Sequence, residues 1–174
     1  MNSTLAFLDI ETSGLNPFWN EVLEVAYIRE FANGDTRETH FSLPIDMERA
    51  SEDALRINRY HSRKAELAAI QTQPSRAAAR MMVELDGCTI VGANPAFDAT
   101  FLRYFIWQNR MAEPSWYYRL IDLNTLGTGW LKYPNILRTE GLAEEFGVPI
   151  PDGYHTALVD ARWNREVYHA ILDD

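Results

Sequence analysis

The sequence predicts an α/β fold built on a mixed five-stranded sheet flanked by helices. Three observations predict it. Three apolar segments near the N-terminus are joined by short turns, which makes an antiparallel meander. The strand Thr89-Ile90-Val91 leads through Asn94-Pro95 into a helix and then another strand, the pattern of a right-handed parallel crossover. The chain then closes on an amphipathic helix.

Residues 4–10 read as the first strand, from Leu5, Phe7, Leu8 and Ile10. Ser13-Gly14-Leu15-Asn16-Pro17 is a turn, followed by Phe18 and Trp19. Two loop aromatics beside acidic residues can stack on single-stranded bases or fold back on the core; folding back is the expectation here. Residues 21–30 read as the second strand, Asn33-Gly34-Asp35 as a hairpin turn, and 36–43 as the third strand. Helices are predicted from Ser51, from Ser62 to about Ile70, and from Pro74 to Leu85, with Ser51 as an N-cap. This helical stretch holds Arg49, Arg56, Arg59, Arg63, Lys64, Arg76 and Arg80. It reads either as a phosphate-facing surface or as solvated helix faces. His61 within it reads as a surface histidine.

Asn94 as N-cap and Pro95 at the first helical position open a helix carrying Phe97, Phe101, Tyr104, Phe105 and Gln108. Residues 118–123 read as the fifth strand. Residues 137–146 read as a helix closed by Gly147. Thr156 is the expected N-cap of the last helix, whose stripe is Ala157, Ala161, Asn164, Tyr168 and Ile171.

The composition, 47% hydrophobic and 24% charged, is that of a globular protein with no low-complexity or linker segment. The N-terminus lacks a basic region and Asp9 breaks its apolar run, which argues against a signal peptide. No apolar run is long enough to cross a membrane. The one cysteine, Cys88, has no partner for an internal disulfide and reads as a small buried residue, so a cytoplasmic setting is expected. A net charge of −9 disfavours a coat for duplex DNA. It is compatible with a nucleic-acid enzyme whose clustered carboxylates are offset by bound cations.

Those carboxylates are the sharpest signal. Asp9 and Glu11 are two apart on a strand, so they project side by side. Two such anions repel unless a proton or a cation sits between them, and hard divalent cations take carboxylate oxygens. Asp98 lies in the first turn after Asn94-Pro95, and Asp160 in the first turns of the last helix. Each stands where the chain leaves a strand or enters a helix, the usual place for sites in open α/β sheets. A first-turn aspartate also has a plain role beside the helix dipole. His155 lies on the incoming loop, where it suits either a general base or simple exposure to solvent.

Three segments, Asp9-Ile10-Glu11-Thr12-Ser13-Gly14-Leu15, Val91-Gly92-Ala93-Asn94-Pro95-Ala96-Phe97-Asp98-Ala99-Thr100-Phe101-Leu102 and His155-Thr156-Ala157-Leu158-Val159-Asp160-Ala161, resemble the three motifs of the DEDDh 3′-to-5′ exonucleases. This is the DnaQ-like branch of the ribonuclease H-like fold. The motifs keep the family's order, and the likeness runs over nearly the whole chain, so residues 1–174 read as a single DEDDh exonuclease domain. The family's tyrosine variant carries Tyr four residues before the last Asp; that position is Thr156 here, and His155 fills the histidine variant's place. Ser13 stands where a second Thr is commoner. The loop Asn16-Pro17-Phe18-Trp19-Asn20 is aromatic where many relatives are charged, so no substrate contact there is carried over.

The resemblance implies two Mg²⁺ ions, with Mn²⁺ able to substitute, about 4 Å apart on Asp9, Glu11, Asp98 and Asp160. Asp9 would bridge them, Glu11 and Asp160 would complete one site, and Asp98 would hold the other partly through water. His155 would take the proton of the attacking water, and the product would be a nucleoside 5′-monophosphate. The resemblance also implies that the Thr12 backbone contacts the terminal 3′-hydroxyl, Leu15 wedges against the terminal base, and Asn94 and Phe97 shape the pocket wall. The expected substrate is a single-stranded 3′ end, with DNA ahead of RNA. Trimming of RNA or short oligonucleotides fits the same motifs, and so, more remotely, does a binding module that has lost catalysis. Oligomeric state and association with a polymerase stay open.

Overall fold

The computed structural model describes residues 4–174. Its strands are β1 (Leu5–Thr12), β2 (Val22–Glu30), β3 (Thr36–Ser42), β4 (Thr89–Gly92) and β5 (Ile121–Asp122). Its helices are α1 (Glu52–Ile57), α2 (Tyr60–Ala69), α3 (Pro74–Glu84), α4 (Pro95–Gln108), α5 (Leu123–Leu131), α6 (Thr139–Glu145) and α7 (Ala157–Asp173), with a 3₁₀ turn at Met47–Arg49. The strands form one mixed sheet in the order β3-β2-β1-β4-β5. β1 and β2, and β2 and β3, pair antiparallel. β1 with β4, and β4 with β5, pair parallel. This is the expected ribonuclease H-like architecture.

The alternation of β1 sorts the molecule into two layers. Ala6, Leu8 and Ile10 join a core with Ala77, Ala78 and Met81 of α3 and Ala99, Leu102 and Ile106 of α4. Phe7 joins a second core with Leu123, Leu142, Trp163, Val167 and Ile171 of α5, α6 and α7. Asp9 and Glu11 share the parity of Phe7 and therefore face the layer of α7. At the start of α7 the packing residues are small: Ala157 and Ala161 meet Ala26, the cross-strand partner of Asp9. Small side chains at this crossing let the helix approach the sheet closely, and that brings Asp160 over the end of β1.

Several boundaries differ from expectation. β1 continues past Ile10 to Thr12, so Glu11 lies within the strand. The second helix starts at Tyr60, two residues before Ser62. α6 covers only Thr139–Glu145. The strand expected over 118–123 is reduced to Ile121–Asp122. Asp122 Oδ1 accepts from the Thr125 amide at 2.7 Å, capping a helix that begins at Leu123 and ends the strand. That helix, α5, was not expected, because Gly127 and Gly129 weaken its pattern. Gly127 is required by packing, since a Cβ there would lie 2.7 Å from a Leu142 methyl. Ser51, Asn94 and Thr156 occupy their N-cap positions but make no side-chain capping bond. Thr156 Oγ1 donates to the Gly153 carbonyl instead, at 3.0 Å. Cys88 is buried and His61 is exposed, as expected. Among the described residues no helix is long and apolar enough to cross a membrane.

Candidate active site

The C-terminal end of β1 and the first turns of α7 converge on one cleft of about 200 Å³, lined by Asp9, Ile10, Glu11, Tyr154, His155 and Asp160 among others. One carboxylate oxygen from each of Asp9, Glu11 and Asp160 lies within 4.8 Å of the other two. Asp98 is outside that trio but directly beneath it. It is buried in the first turn of α4, and its Oδ1 accepts from the Ile10 amide, between Asp9 and Glu11, at 3.0 Å.

The electrostatics record how costly these charges are without a counter-ion. Burial, and then repulsion from Asp98, Glu11 and Asp160, raises the Asp9 carboxyl well above its ordinary value. Burial, followed by Asp160 and Glu24, pushes Glu11 up to about 8. Burial pushes Asp98 up to about 7 against two backbone hydrogen bonds that oppose it. Burial likewise lifts Asp160 to about 7, opposed by the His155 amide and by Arg59. Asp160 Oδ2 accepts from the His155 amide at 3.1 Å. Its other oxygen is buried with no partner. A trio of carboxylates with one orphaned buried oxygen is the donor set that a hard divalent cation takes, so the residues fit a metal site.

His155 sits on the rim with an exposed ring. Its backbone has φ 67°, in the left-handed region that few non-glycine residues adopt, and surrounding contacts hold it there. Three contacts do so. Its amide bonds Asp160. Its ring stacks on Tyr154, centroids 4.1 Å apart. Arg59 Nη2 donates to the carbonyls of Gly153 and Tyr154 at 2.6 and 2.8 Å. Tyr154 is anchored in turn by its hydroxyl, which donates to Glu140 at 2.8 Å.

None of the other expected contact residues, Thr12, Leu15, Asn94 and Phe97, is among those lining this cleft. Thr12 is buried, and its hydroxyl donates to the Gly14 carbonyl at 2.6 Å. Leu15 is 83% exposed, at the tip of the following loop. Asn94 is exposed at the start of α4, and Phe97 is half-buried with its ring 4.8 Å from Phe101. The fold-back expected of Phe18 and Trp19 does not occur: they are 70% and 57% exposed. Each ring rests on one neighbour, Phe18 edge-on against Tyr104 at 5.2 Å and Trp19 beneath the Arg49 guanidinium at 5.3 Å, so most of its surface stays in solvent.

Two features behind the site were not anticipated. Glu24, the cross-strand neighbour of Glu11, is fully buried. Arg63 grips it with two bonds of 2.9 and 2.7 Å, and His40 Nε2 lies 2.7 Å from it. Arg63 therefore belongs neither to a phosphate-facing surface nor to a solvated helix face. On the far wall, Asn124 donates to the Ala93 carbonyl and accepts from Thr139, both at 2.9 Å, tying α5 and α6 to the end of β4. An uncharged neighbour of Glu24 on either side in the apolar run Val22-Leu23-Glu24-Val25-Ala26 was the available signal that this glutamate is buried and paired.

Residues 6–168 match the family model RNase_T, described as an exonuclease. The chain belongs to this exonuclease family. It is the DnaQ-like, DEDD-type family of metal-dependent 3′-to-5′ exonucleases. It is 26% identical to DNA polymerase III PolC-type from Thermotoga petrophila and to that from Thermotoga maritima. Each match covers 99% of this chain and 12% of the polymerase. Among solved structures, exonuclease I of E. coli bound to a dT13 oligonucleotide superposes with a TM-score of 0.74 at 21% identity, over 98% of the domain and 40% of that chain. Another exonuclease I structure gives a TM-score of 0.78 at 19% identity, over 98% and 41%. These likenesses show the shared fold. The exonuclease domain spans about an eighth of the polymerases and well under half of exonuclease I.

Proposed function

We propose that this exonuclease domain removes nucleoside 5′-monophosphates one at a time from the 3′ end of a single strand, with DNA favoured over RNA. The observation that carries the reading is the trio Asp9, Glu11 and Asp160, with its orphaned Asp160 oxygen, next to the left-handed and exposed His155. Asp9, Glu11 and Asp160 would hold one divalent ion, and Asp9 with Asp98 a second, Mg²⁺ in each case with Mn²⁺ as a substitute. When bound, such ions supply Lewis-acid stabilisation of the charge that develops on the reacting phosphate and ease ionisation of water.

The domain's own residues do the rest. A ring nitrogen of His155 takes the proton of the attacking water. The water oxygen bonds to the terminal phosphorus and the bond to the 3′ oxygen breaks. The 3′ oxygen takes a proton from solvent, so the shortened strand leaves with a 3′-hydroxyl, and the released nucleotide keeps its 5′-phosphate. The Thr12 backbone meets the terminal 3′-hydroxyl, Leu15 wedges against the last base, and Asn94 and Phe97 form the wall. The preference for DNA is supported by exonuclease I, solved with dT13 and dA16 oligonucleotides. The likeness to part of a PolC-type polymerase supports work beside a DNA polymerase. The lone buried thiol of Cys88 suits the reducing cytoplasm.

The test compares wild type with Asp9→Ala on 5′-labelled single-stranded DNA and RNA of matched sequence, with Mg²⁺ or EDTA. The expected result is a Mg²⁺-dependent ladder shortening from the 3′ end, faster on DNA and absent in the variant. A faster RNA ladder would reassign the substrate. No shortening of either strand with Mg²⁺ or Mn²⁺ would make the domain a binding module.

A further inference from the structure

We propose that Phe18 and Trp19 form a stacking ledge for the bases upstream of the terminal nucleotide. This rests on the reading that the 3′ end is cut at the cluster of Asp9, Glu11, Asp98 and Asp160. Large apolar side chains exposed side by side on a loop give the fold nothing, because their surface stays in water. Here the exposure is built in. Asn16 accepts from the Phe18 amide through its side chain, at 3.0 Å, and from the Trp19 and Asn20 amides through its carbonyl, at 3.0 and 2.7 Å. Asn20 closes the loop by accepting from the Asn16 amide at 2.9 Å and donating to the Arg49 carbonyl at 2.7 Å. The rings are therefore presented on a rigid frame, which lowers the entropy lost when a ligand binds.

The position fits one occupant. The loop leaves the site directly, starting one residue after Thr12. The Phe18 ring meets Tyr104 edge-on, centroids 5.2 Å apart. Tyr104 lies six residues along α4 from Asp98, about 9 Å at the rise of an α-helix. That is the length of two or three stacked bases. Phe97 and Tyr104 are seven apart on α4 and share a face, so aromatic side chains run from the first turn of α4 to the ledge. Arg49, which pairs with Glu21 at 3.4 Å, holds its guanidinium 5.3 Å from the Trp19 ring centre. Aromatic faces with a cation beside them bind unpaired bases and their phosphates without regard to sequence. In a chain of net charge −9, stacking takes over part of what basic residues do elsewhere.

The ledge should matter only to substrates long enough to reach it. The experiment measures hydrolysis of dT8 and of the p-nitrophenyl ester of thymidine 5′-monophosphate by wild type, Phe18→Ala, Trp19→Ala, the double variant and Trp19→Phe. On dT8 we expect kcat/KM to fall about tenfold for each ring removed, mainly through KM. The ester, which fills only the terminal position, should be cleaved at the wild-type rate by all variants, and Trp19→Phe should restore most of the loss on dT8. Equal loss on ester and dT8, or no loss on dT8, would overturn the ledge. Binding of 5′-fluorescein dT8 to Asp9→Ala, with and without both alanine substitutions, reads the same surface without hydrolysis. Weaker binding on removal of the rings supports the ledge even if wild type cleaves nothing, an outcome that would sink only the catalytic reading. Unchanged binding counts against the ledge itself.

Discussion

His155 concentrates the chemistry at the scale of single residues. Its ring is exposed while its backbone is pinned in a left-handed state by Asp160, Tyr154 and Arg59. His155→Ala should lose about a hundredfold or more in kcat, yet keep the rise in melting temperature that Mn²⁺ produces. Loss of that rise would make His155 a metal ligand. The carboxylates beside it make stability depend on pH. Glu11 titrates near 8 in the folded chain against an ordinary 4.5, and Asp98 and Asp160 near 7 against 3.8. The folded chain therefore binds more protons than the unfolded one throughout this range. Stability falls as pH rises from about 4 to 8, and the raised Asp9 carboxyl adds to the fall. In EDTA the melting temperature should drop by several degrees between pH 5 and 8, and Mg²⁺ or Mn²⁺ should restore it at pH 8. A flat profile in EDTA would mean that the acids are not crowded as described. His155 and the four acids were singled out in the sequence through the resemblance of three segments to the exonuclease motifs. The use of Tyr154 as a platform for His155 was not legible there, because it depends on a hydroxyl bond to Glu140, fourteen residues away.

At the scale of elements, two connections hold the site in shape. The loop before α7 is clamped from outside by Arg59, at the turn between α1 and α2. Arg59→Ala should lower kcat about tenfold, the effect of losing one or two hydrogen bonds that position the base. KM should barely move, and Arg59→Lys should restore part of the rate; a KM effect alone would place Arg59 on the substrate instead. The loop after β1 depends on Gly14, where a Cβ would collide with the side-chain amide of Asn20. Gly14→Ala should cost about 1–3 kcal/mol in urea unfolding and weaken cleavage of dT8 more than of the thymidylate ester. The hairpin of β2 and β3 and the start of α4 were readable from Asn33-Gly34-Asp35 and Asn94-Pro95, since turn chemistry is local. α5 was not, because Gly127, which packing against α6 and α7 requires, and Gly129 depress helical propensity where a sequence pattern would look for it.

At the scale of the molecule, the site is where two layers meet across the sheet, and the Glu24–Arg63 pair ties the meander to α2 behind it. Arg63 is 8% exposed and Glu24 is fully buried. Arg63→Met should therefore destabilise the fold by about 3–5 kcal/mol, the usual result of leaving one charge of a buried pair without its partner. It should also change the metal dependence of activity, because Glu24 adds to the negative potential at Glu11 that Arg63 now offsets. Unchanged stability in urea would show that water reaches Glu24. Fold class and strand sequence could be read before any coordinates, because strand alternation and turn residues act over a few positions, while the choice of acids rested on the resemblance of three motifs to a known family. Four things needed the folded chain: that α7 sits on Ala26 closely enough to bring Asp160 within 4.8 Å of Asp9 and Glu11, that Asp98 docks on the Ile10 amide, that Arg63 pairs with a glutamate thirty-nine residues away, and that Phe18 and Trp19 face outward. Each depends on which side chains the packing of separate elements places opposite one another. That is set by the shapes of both surfaces at once, and no single stretch of sequence carries it.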